Sequence, residues 1–533
     1  MEAQVTNKAS LTSDPFAAGF LPLLRGNTQQ KFDQLAIETF GFSAFTLMEN
    51  AGRSAAFTIE REYGPMHGRK VVICSGSGNN GGDGYVVART LYNQGAFVYV
   101  VSLKPPTTPE AKQNWSFLHQ LKELDKSDRL QFDDNPHRPL PPADLYVDAL
   151  LGVGLNRPLQ GDVVSLVDEL NATNSPVVAL DLPSGLHADT GSPLGNAVRA
   201  DLTITFSAYK PGLLFGQGRA YSGRIELVHI GLPLSAILDK TTSEINWIST
   251  DTAISSYLPT RDLQAHKYSA GMVLVIGGSP GLSGAPMLAA RAAARVGAGY
   301  VACAVPESIQ NILATTMTEI PAIRLAECPD GGIEPDDAIT ALQPWLAKAN
   351  ALVIGPGLGR HPNTQRFVQA ILQSCTMPVV VDADALFTAA QLLNTSNQER
   401  NWILTPHARE FERMGSESGK LDRLDSARHW SSRWNCTLVL KGHPTIVCHG
   451  QEAAFVCGRG NPSLATAGTG DVLAGLCGGL VAQGCAAPTA AISACHIGGL
   501  TADQYSRKHH PGTMIAGDMI DGVVTALTSL RKK

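Results

Sequence analysis

Short apolar runs, each closed by a Gly, Asp or Pro turn and separated by stretches of helical length, constrain this chain more than any other feature. In its first half the runs fall at residues 70–74, 97–102, 145–148, 177–181, 202–206 and 225–230. The segments between them, 85–94 and 163–171 among them, have helical length and periodicity. Parallel strands are buried on both faces, so they read as continuous apolar runs rather than alternating ones. The pattern predicts an α/β fold, a parallel sheet with helices on both faces. In such sheets the turns that follow the strands carry the chemistry.

A second strand-and-glycine turn opens at residues 271–278, and an Ala-rich helix is predicted over 286–297. Further strands are expected at 300–305, 351–354, 379–382, 402–404 and 436–440. A chain of 533 residues is too long for one ordinary core, which agrees with two α/β domains. The stretch from Leu232 to Arg261 has no strong sheet signal and reads as a connector.

The formal net charge is −5, so no basic field is present and nucleic acid is not expected as a partner. The most apolar late stretch, 464–484, contains Asp471 and many glycines. It reads as a buried helix, and no membrane partner is expected. The ten cysteines form no C-x-x-C pair, which predicts free thiols in a reducing compartment, the cytoplasm. The N-terminus carries Glu2, Lys8 and Asp14 and no apolar run long enough for a signal peptide. The first twenty residues are expected to form a mobile tail.

The first candidate site is Gly76-Ser77-Gly78-Asn79-Asn80-Gly81-Gly82-Asp83-Gly84, directly after the run 70–74. Its G-x-G-x-x-G spacing points backbone N–H groups at an anion at a helix N-terminus. A redox dinucleotide site also needs an acid at the end of the next strand, and 97–104 carries none. The loop instead packs Asn79, Asn80 and Asp83 between glycines, more polar side chains than a turn requires. Asp148 and Asp181 close two further strands, and Ser184 follows in Leu182-Pro183-Ser184-Gly185. Parallel strands deliver such ends to one edge. There Asn80, Asp148 and Ser184 offer oxygens to a hard cation, and Asp181 can face a ligand as acid or base.

NNGGDG, the segment Asp148-Ala149-Leu150-Leu151-Gly152-Val153-Gly154-Leu155, DLPSG and the early Leu47-Met48-Glu49-Asn50-Ala51-Gly52 resemble the epimerase domain of bifunctional NAD(P)H-hydrate repair enzymes. The likeness runs over 21–232 and implies a Rossmann-like, doubly wound domain. It implies that the hydrates NADHX and NADPHX are held by Asn79, Asn80, Gly81, Gly82 and Asp83, by Gly152, Val153, Gly154, Leu155, Asn156, Arg157 and Pro158, and by Asp181. It implies potassium (K+) on Asn80, Asp148 and Ser184. Asp181 is the candidate acid/base, and Lys210 a weaker one.

The second candidate site is Ala467-Gly468-Thr469-Gly470-Asp471 before an apolar helix. Its free amides suit developing negative charge, and Asp471 can take a proton from an attacking hydroxyl. Gly355-Pro356-Gly357-Leu358-Gly359, Thr405-Pro406-His407 and Lys441-Gly442-His443-Pro444-Thr445 each follow a strand. No G-x-x-x-x-G-K-[ST] occurs, so this is not a P-loop. Together these motifs resemble the ribokinase-like superfamily and, more closely, its NAD(P)HX dehydratases, over 248–530. The resemblance implies that Ala285, Gly357, His407 and Asp471 touch the hydrate. Lys441, Gly442, His443, Pro444, Thr445 and Gly470 would touch ADP carried with magnesium (Mg2+), and Asp471 would act as catalytic base. The family's P-G-E after TPH is replaced by Ala408-Arg409-Glu410, which weakens the expectation for Glu410 more than for His407.

The implied function is epimerisation of R- and S-NAD(P)HX with ADP-dependent dehydration of the S form, by a homo-oligomer. The alternatives are another small-molecule kinase, of a vitamin or sugar, with an accessory domain, a non-enzymatic scaffold, and a redox dehydrogenase. The retained Asp181 with Asn80, Asp148 and Ser184 argues against the scaffold, and the missing acid against the dehydrogenase.

Overall fold

The structure is a computed structural model that describes residues 14–125, 127–133, 139–238, 245–395, 399–416 and 421–531. It divides into a unit spanning Pro22–Ile245 and a second unit formed by Asn246–Lys533 together with the segment up to Leu21. Of the expected N-terminal tail, residues 1–13 lie outside the described residues, and residues 14–20 are not a free tail. Phe20 is buried and packs edge-on against Phe455, with ring centroids 5.0 Å apart. The Gly19 carbonyl accepts from Thr250 Oγ1 at 2.7 Å. Burying one Phe side chain contributes about 2 kcal/mol toward ordering this segment. Strand β1 (Leu21–Leu23) then carries the chain into the first unit.

The first unit holds β2 (Lys70–Ser75), β3 (Phe97–Ser102), β4 (Leu130–Asp133), β5 (Leu145–Ala149), β6 (Val177–Leu180), β7 (Leu202–Phe206) and β8 (Arg224–Val228). They form one sheet in the order β4-β3-β2-β5-β6-β7-β8, parallel throughout. The apolar runs fill it: Val71 to Cys74 are all buried. The order reverses between β2 and β5, and ligands of open α/β sheets bind at the carboxyl ends of strands at such a reversal. The Gly-rich stretch, predicted as a loop, is the start of the helix Asn79–Asn93.

The second unit continues with β9 (Asn246–Ile248), β10 (Met272–Ile276), β11 (Tyr300–Pro306), β12 (Ala322–Leu325), β13 (Ala351–Ile354), β14 (Val379–Val381), β15 (Trp402–Leu404), β16 (Thr437–Leu440), β17 (Ile446–His449) and β18 (Phe455–Val456). The predicted connector contains β9 and the helix Asp251–Tyr257, because a three-residue strand is too short to leave a pattern in sequence. The order is β1-β9-β18-β17-β16-β15-β14-β13-β10-β11-β12, with β16–β17 and β17–β18 antiparallel. Its reversal lies between β10 and β13. Helices Gly284–Arg295 and Thr469–Ala482 pack closely through small residues: a Cβ at Gly475 would stand 2.1 Å from the Ala289 carbonyl oxygen.

Candidate active sites

In the first unit the turns after β2 and β5 meet at the strand reversal. The Gly76 N–H donates to Ala149 O at 3.0 Å, and a Cβ at Gly76 would stand 1.8 Å from Leu150 O. A Cβ at Gly81 would stand 1.9 Å from Gly76 O. Only glycine lets these backbones approach so closely. No side chain caps the helix Asn79–Asn93, so no side-chain oxygen competes for its N-terminal amides.

A cavity of about 900 Å³ opens at this edge. Asn79, Asn80, Asp83, the loop from Gly152 to Pro158, Asp181 and Lys210 line it. Gly81 and Gly82 do not. Both are buried, and a Cβ at Gly82 would stand 2.5 Å from the Met48 side chain, so their part is close packing of the helix. Asp181 is held at φ 64°, left-handed for a non-glycine residue. Its Oδ1 accepts from the fully buried Lys210 ammonium, from the Phe206 N–H at 3.2 Å and from Thr205 Oγ1 at 3.4 Å. Lys210 also donates to Thr205 Oγ1 and Phe206 O, both at 3.0 Å. Burial raises the Asp83 carboxyl well above the usual carboxylate range, and the charges of Asp181 and Asp33 add to it.

Asp148 is fully buried, and its carboxylate accepts from Ser184 N–H at 2.8 Å and Ser184 Oγ at 2.6 Å. Burial raises its pKa to about 6 against these bonds. Ser184 Oγ in turn accepts from the Leu151 N–H at 2.8 Å. Asn80 is buried with neither Oδ1 nor Nδ2 paired, and its Cγ lies 3.7 Å from where a Gly152 Cβ would be. A buried amide without partners is costly unless a ligand completes it. The unpaired Asn80 Oδ1 and the Asp148 and Ser184 oxygens are of the donor type that a hard cation takes.

In the second unit the reversal is again tied by glycines. The Gly278 N–H donates to Pro356 O at 2.8 Å, and a Cβ at Gly355 would stand 1.8 Å from Asp382 O. Gly357, at φ 66°, is buried, and a Cβ there would stand 3.1 Å from the Ala285 Cβ. The parallel strands β14, β15 and β16 then deliver Asp382, His407 and Lys441 to one edge. Lys441 Nζ donates to Asp382 Oδ1 at 3.0 Å and stands 3.8 Å from Glu410. Thr405 Oγ1 donates to the same Asp382 oxygen at 2.6 Å. Burial would lower the Lys441 pKa, but Asp382 and Glu410 outweigh it and the shift is upward. A Cβ at Gly470 would stand 3.4 Å from Lys441 Nζ, so this ammonium faces the N-terminus of the helix Thr469–Ala482. No side chain caps that helix, and its Gly468 N-cap is left-handed at φ 89°. Burial and the Asp382 charge raise the Asp471 carboxyl to about 6, against the pull of Lys441.

His407 is half-exposed and caps the helix Ala408–Arg413, its Nδ1 accepting from the Arg409 and Glu410 N–H groups. Glu410 completes the capping box by accepting from the His407 N–H at 2.9 Å. The Glu410 carboxylate, whose role the Ala408-Arg409 replacement put in question, stands 3.5 Å from His407 Nε2 and 3.8 Å from Lys441 Nζ. In the Lys441–Thr445 turn, Thr445 Oγ1 donates to Gly442 O at 3.0 Å. Arg423, from a distant helix, reaches toward the Lys441 and His443 carbonyls. Sequence reasoning missed Asp382 and Asp33. Asp382 ends a strand as Asp148 and Asp181 do, and the same rule would have found it. Asp33, in the helix Gly26–Phe40, gave no such signal.

A family model described as YjeF-related protein N-terminus matches residues 44–212, and one described as NAD(P)H-hydrate dehydratase matches residues 273–523. The chain is 43% identical over 519 residues to the bifunctional NAD(P)H-hydrate repair enzyme Nnr of Salinibacter ruber, covering 94% of this chain and 95% of that one. It is 38% identical over 515 residues to the enzyme of the same name from Moorella thermoacetica, covering 94% and 96%. Among solved structures it is similar to the ADP/ATP-dependent NAD(P)H-hydrate dehydratase from Bacillus subtilis co-crystallized with ATP and magnesium. That match has 26% identity and a TM-score of 0.44, and covers 53% of this chain and 97% of the other.

Proposed function

The chain belongs to the bifunctional NAD(P)H-hydrate repair enzymes, and on that premise we propose how its two units divide the work. The protein repairs hydrated NAD(P)H by epimerising the R and S hydrates and dehydrating the S form. The unit Pro22–Ile245 epimerises at the cavity beside Asp181. The unit from Asn246 dehydrates at Asp471. The observation that carries the second assignment is the convergence of Lys441, Asp382 and Glu410 on the uncapped helix end that holds Asp471.

In the dehydratase unit the ionised Asp471 takes the proton of the hydrate's C6 hydroxyl, whose oxygen attacks the terminal phosphoryl group of ADP. AMP leaves. The amides at Thr469 and Gly470 and the Lys441 ammonium face the transferred charge. The ring nitrogen then expels phosphate from C6, C5 loses a proton, and NAD(P)H is restored. Ala285, Gly357 and His407 border the hydrate, and the Lys441–Thr445 turn and Gly470 hold the nucleotide. Among the described residues no three or more His, Cys, Asp or Glu side chains are grouped to hold a metal. Magnesium would accompany ADP and neutralise the charge of its phosphates. In the epimerase unit Asn80, Asp148 and Ser184 would hold potassium, supported by the orphaned Asn80 amide. The ten free cysteines support a cytoplasmic setting, and among the described residues no helix is long and apolar enough to cross a membrane.

The test is recovery of NADH absorbance from mixed-epimer NADHX with magnesium, potassium and either ADP or ATP. Full recovery with ADP is expected. Recovery that stops at the S fraction would overturn the epimerase assignment, and faster recovery with ATP would overturn the nucleotide choice.

A further inference from the structure

The epimerase cavity has a wall that no sequence motif announced. The helix Gly26–Phe40 starts with its Gly26 N–H donating to Asp189 at 2.8 Å, and a Cβ at Gly26 would stand 3.3 Å from Val153 O. It is thereby held against the loops that follow β5 and β6. From it Gln29 and Asp33 line the same cavity as Asp83, Asp181 and Lys210. Gln29 is buried, and its Nε2 donates to Asp33 Oδ1 at 3.0 Å. Its Oε1 is buried and unpaired. A buried carbonyl oxygen left open beside a fixed carboxyl is a feature a bound ligand completes.

We propose that Asp33, positioned by Gln29, is a second proton-handling carboxyl of the epimerase reaction, working with Asp181 from another wall element of the same cavity. This rests on the epimerase reading of the first unit. Inversion at C6 needs a proton delivered on one face and removed on the other. One carboxyl protonates the C6 hydroxyl, the ring nitrogen's lone pair expels it as water, and a C6=N1 iminium forms. Water adds to the other face and gives its proton to the second carboxyl. The two carboxyls exchange roles in the reverse direction, and transfer of the proton back resets the pair.

The charges support this division. Asp33, Asp83 and Asp181 share one nearby ammonium, Lys210, and the direct ion pair belongs to Asp181. Lys104, Glu110 and Arg157 line the cavity as well. Burial raises Asp33 to about 6, with Gln29 and Lys210 pulling it down and Asp181 pushing it up. A carboxyl near the working pH can both give and take a proton. The active pair holds one proton, so kcat/KM falls as pH rises and that last proton leaves.

The experiment measures interconversion of R- and S-NADHX by the full chain, as wild type, Asp33→Asn, Asp33→Glu and Gln29→Leu. Asp33→Asn is expected to lower kcat about a hundredfold with KM little changed, and to abolish the alkaline limb. Asp33→Glu should restore part of the rate and the limb. Gln29→Leu, which keeps the carboxyl, should displace the limb. Unchanged kcat and pH profile in Asp33→Asn would overturn the proposal, as would a loss confined to KM. An inactive wild type would overturn the epimerase reading instead. A misfolded Asp33→Asn, seen as lost thermal transition, would pass the decision to the limb in Gln29→Leu: an unmoved limb overturns the proposal.

Discussion

At the scale of single residues, both sites work by placing carboxyls where burial opposes their charge. Asp471 must be ionised to act as a base, and burial with the Asp382 charge raises it to about 6. The sign follows directly. Dehydration rises with pH as Asp471 ionises near 6, and is lost below it. A kcat profile for S-NADHX should show that acid limb. Asp471→Asn should cost at least about a hundredfold in dehydration while R/S interconversion continues. Loss of both would mean that the variant unfolds the chain or that the reactions are coupled. Lys441 illustrates the converse: Asp382 and Glu410 raise its pKa against the downward pull of burial.

At the scale of elements, the glycines that look like a cofactor fingerprint serve mainly to let backbones meet. In the first unit, Gly76 and Gly81 close the β2 turn against β5 and against the following helix. A Cβ at Gly76 would fall 1.8 Å from the Leu150 carbonyl oxygen, so the strand end must move. Gly76→Ala should therefore destabilise the first unit by about 2 kcal/mol or more and abolish epimerisation. Urea unfolding monitored alongside dehydration checks this, since S-epimer repair should survive. The backbone at these strand ends is also bent out of its ordinary range. Asp181, Ser207 and Ala383 all adopt left-handed φ directly after or near strand termini at the two sites.

At the scale of the whole molecule, two units carry separate chemistry on two sheets. Exchanging potassium for an ion that does not fit the Asn80, Asp148 and Ser184 oxygens should slow epimerisation tenfold or more, roughly, and leave dehydration of S-NADHX unchanged. Rate measurements on each epimer check it, and equal slowing of both would return those three residues to a structural role. Asp181→Ala should block repair of the R fraction and spare the S fraction. Normal repair of both epimers by that variant would remove Asp181 from the mechanism.

The sequence by itself determined the α/β class, two units and part of the lining of the first unit's cavity: Asn79, Asn80, Asp83, residues 152–158 and Asp181. Those properties are local: an apolar run, the turn that ends it and the residues in that turn are contiguous. NNGGDG, DLPSG and AGTGD were legible for this reason: the first sheet carries NNGGDG and DLPSG to one edge, and AGTGD opens a helix of the second unit. What only the tertiary structure decided depends on meetings between distant segments. Lys210 ties down Asp181 from 29 residues away. Asp382 holds Lys441 from 59 residues away. Phe20 packs beside Phe455. Asp33 sits on an amphipathic helix whose pattern looks like any surface helix. Its carboxyl has a distinct environment only because that helix brings it to the cavity that Lys210 and Asp181 also line, where burial opposes its charge.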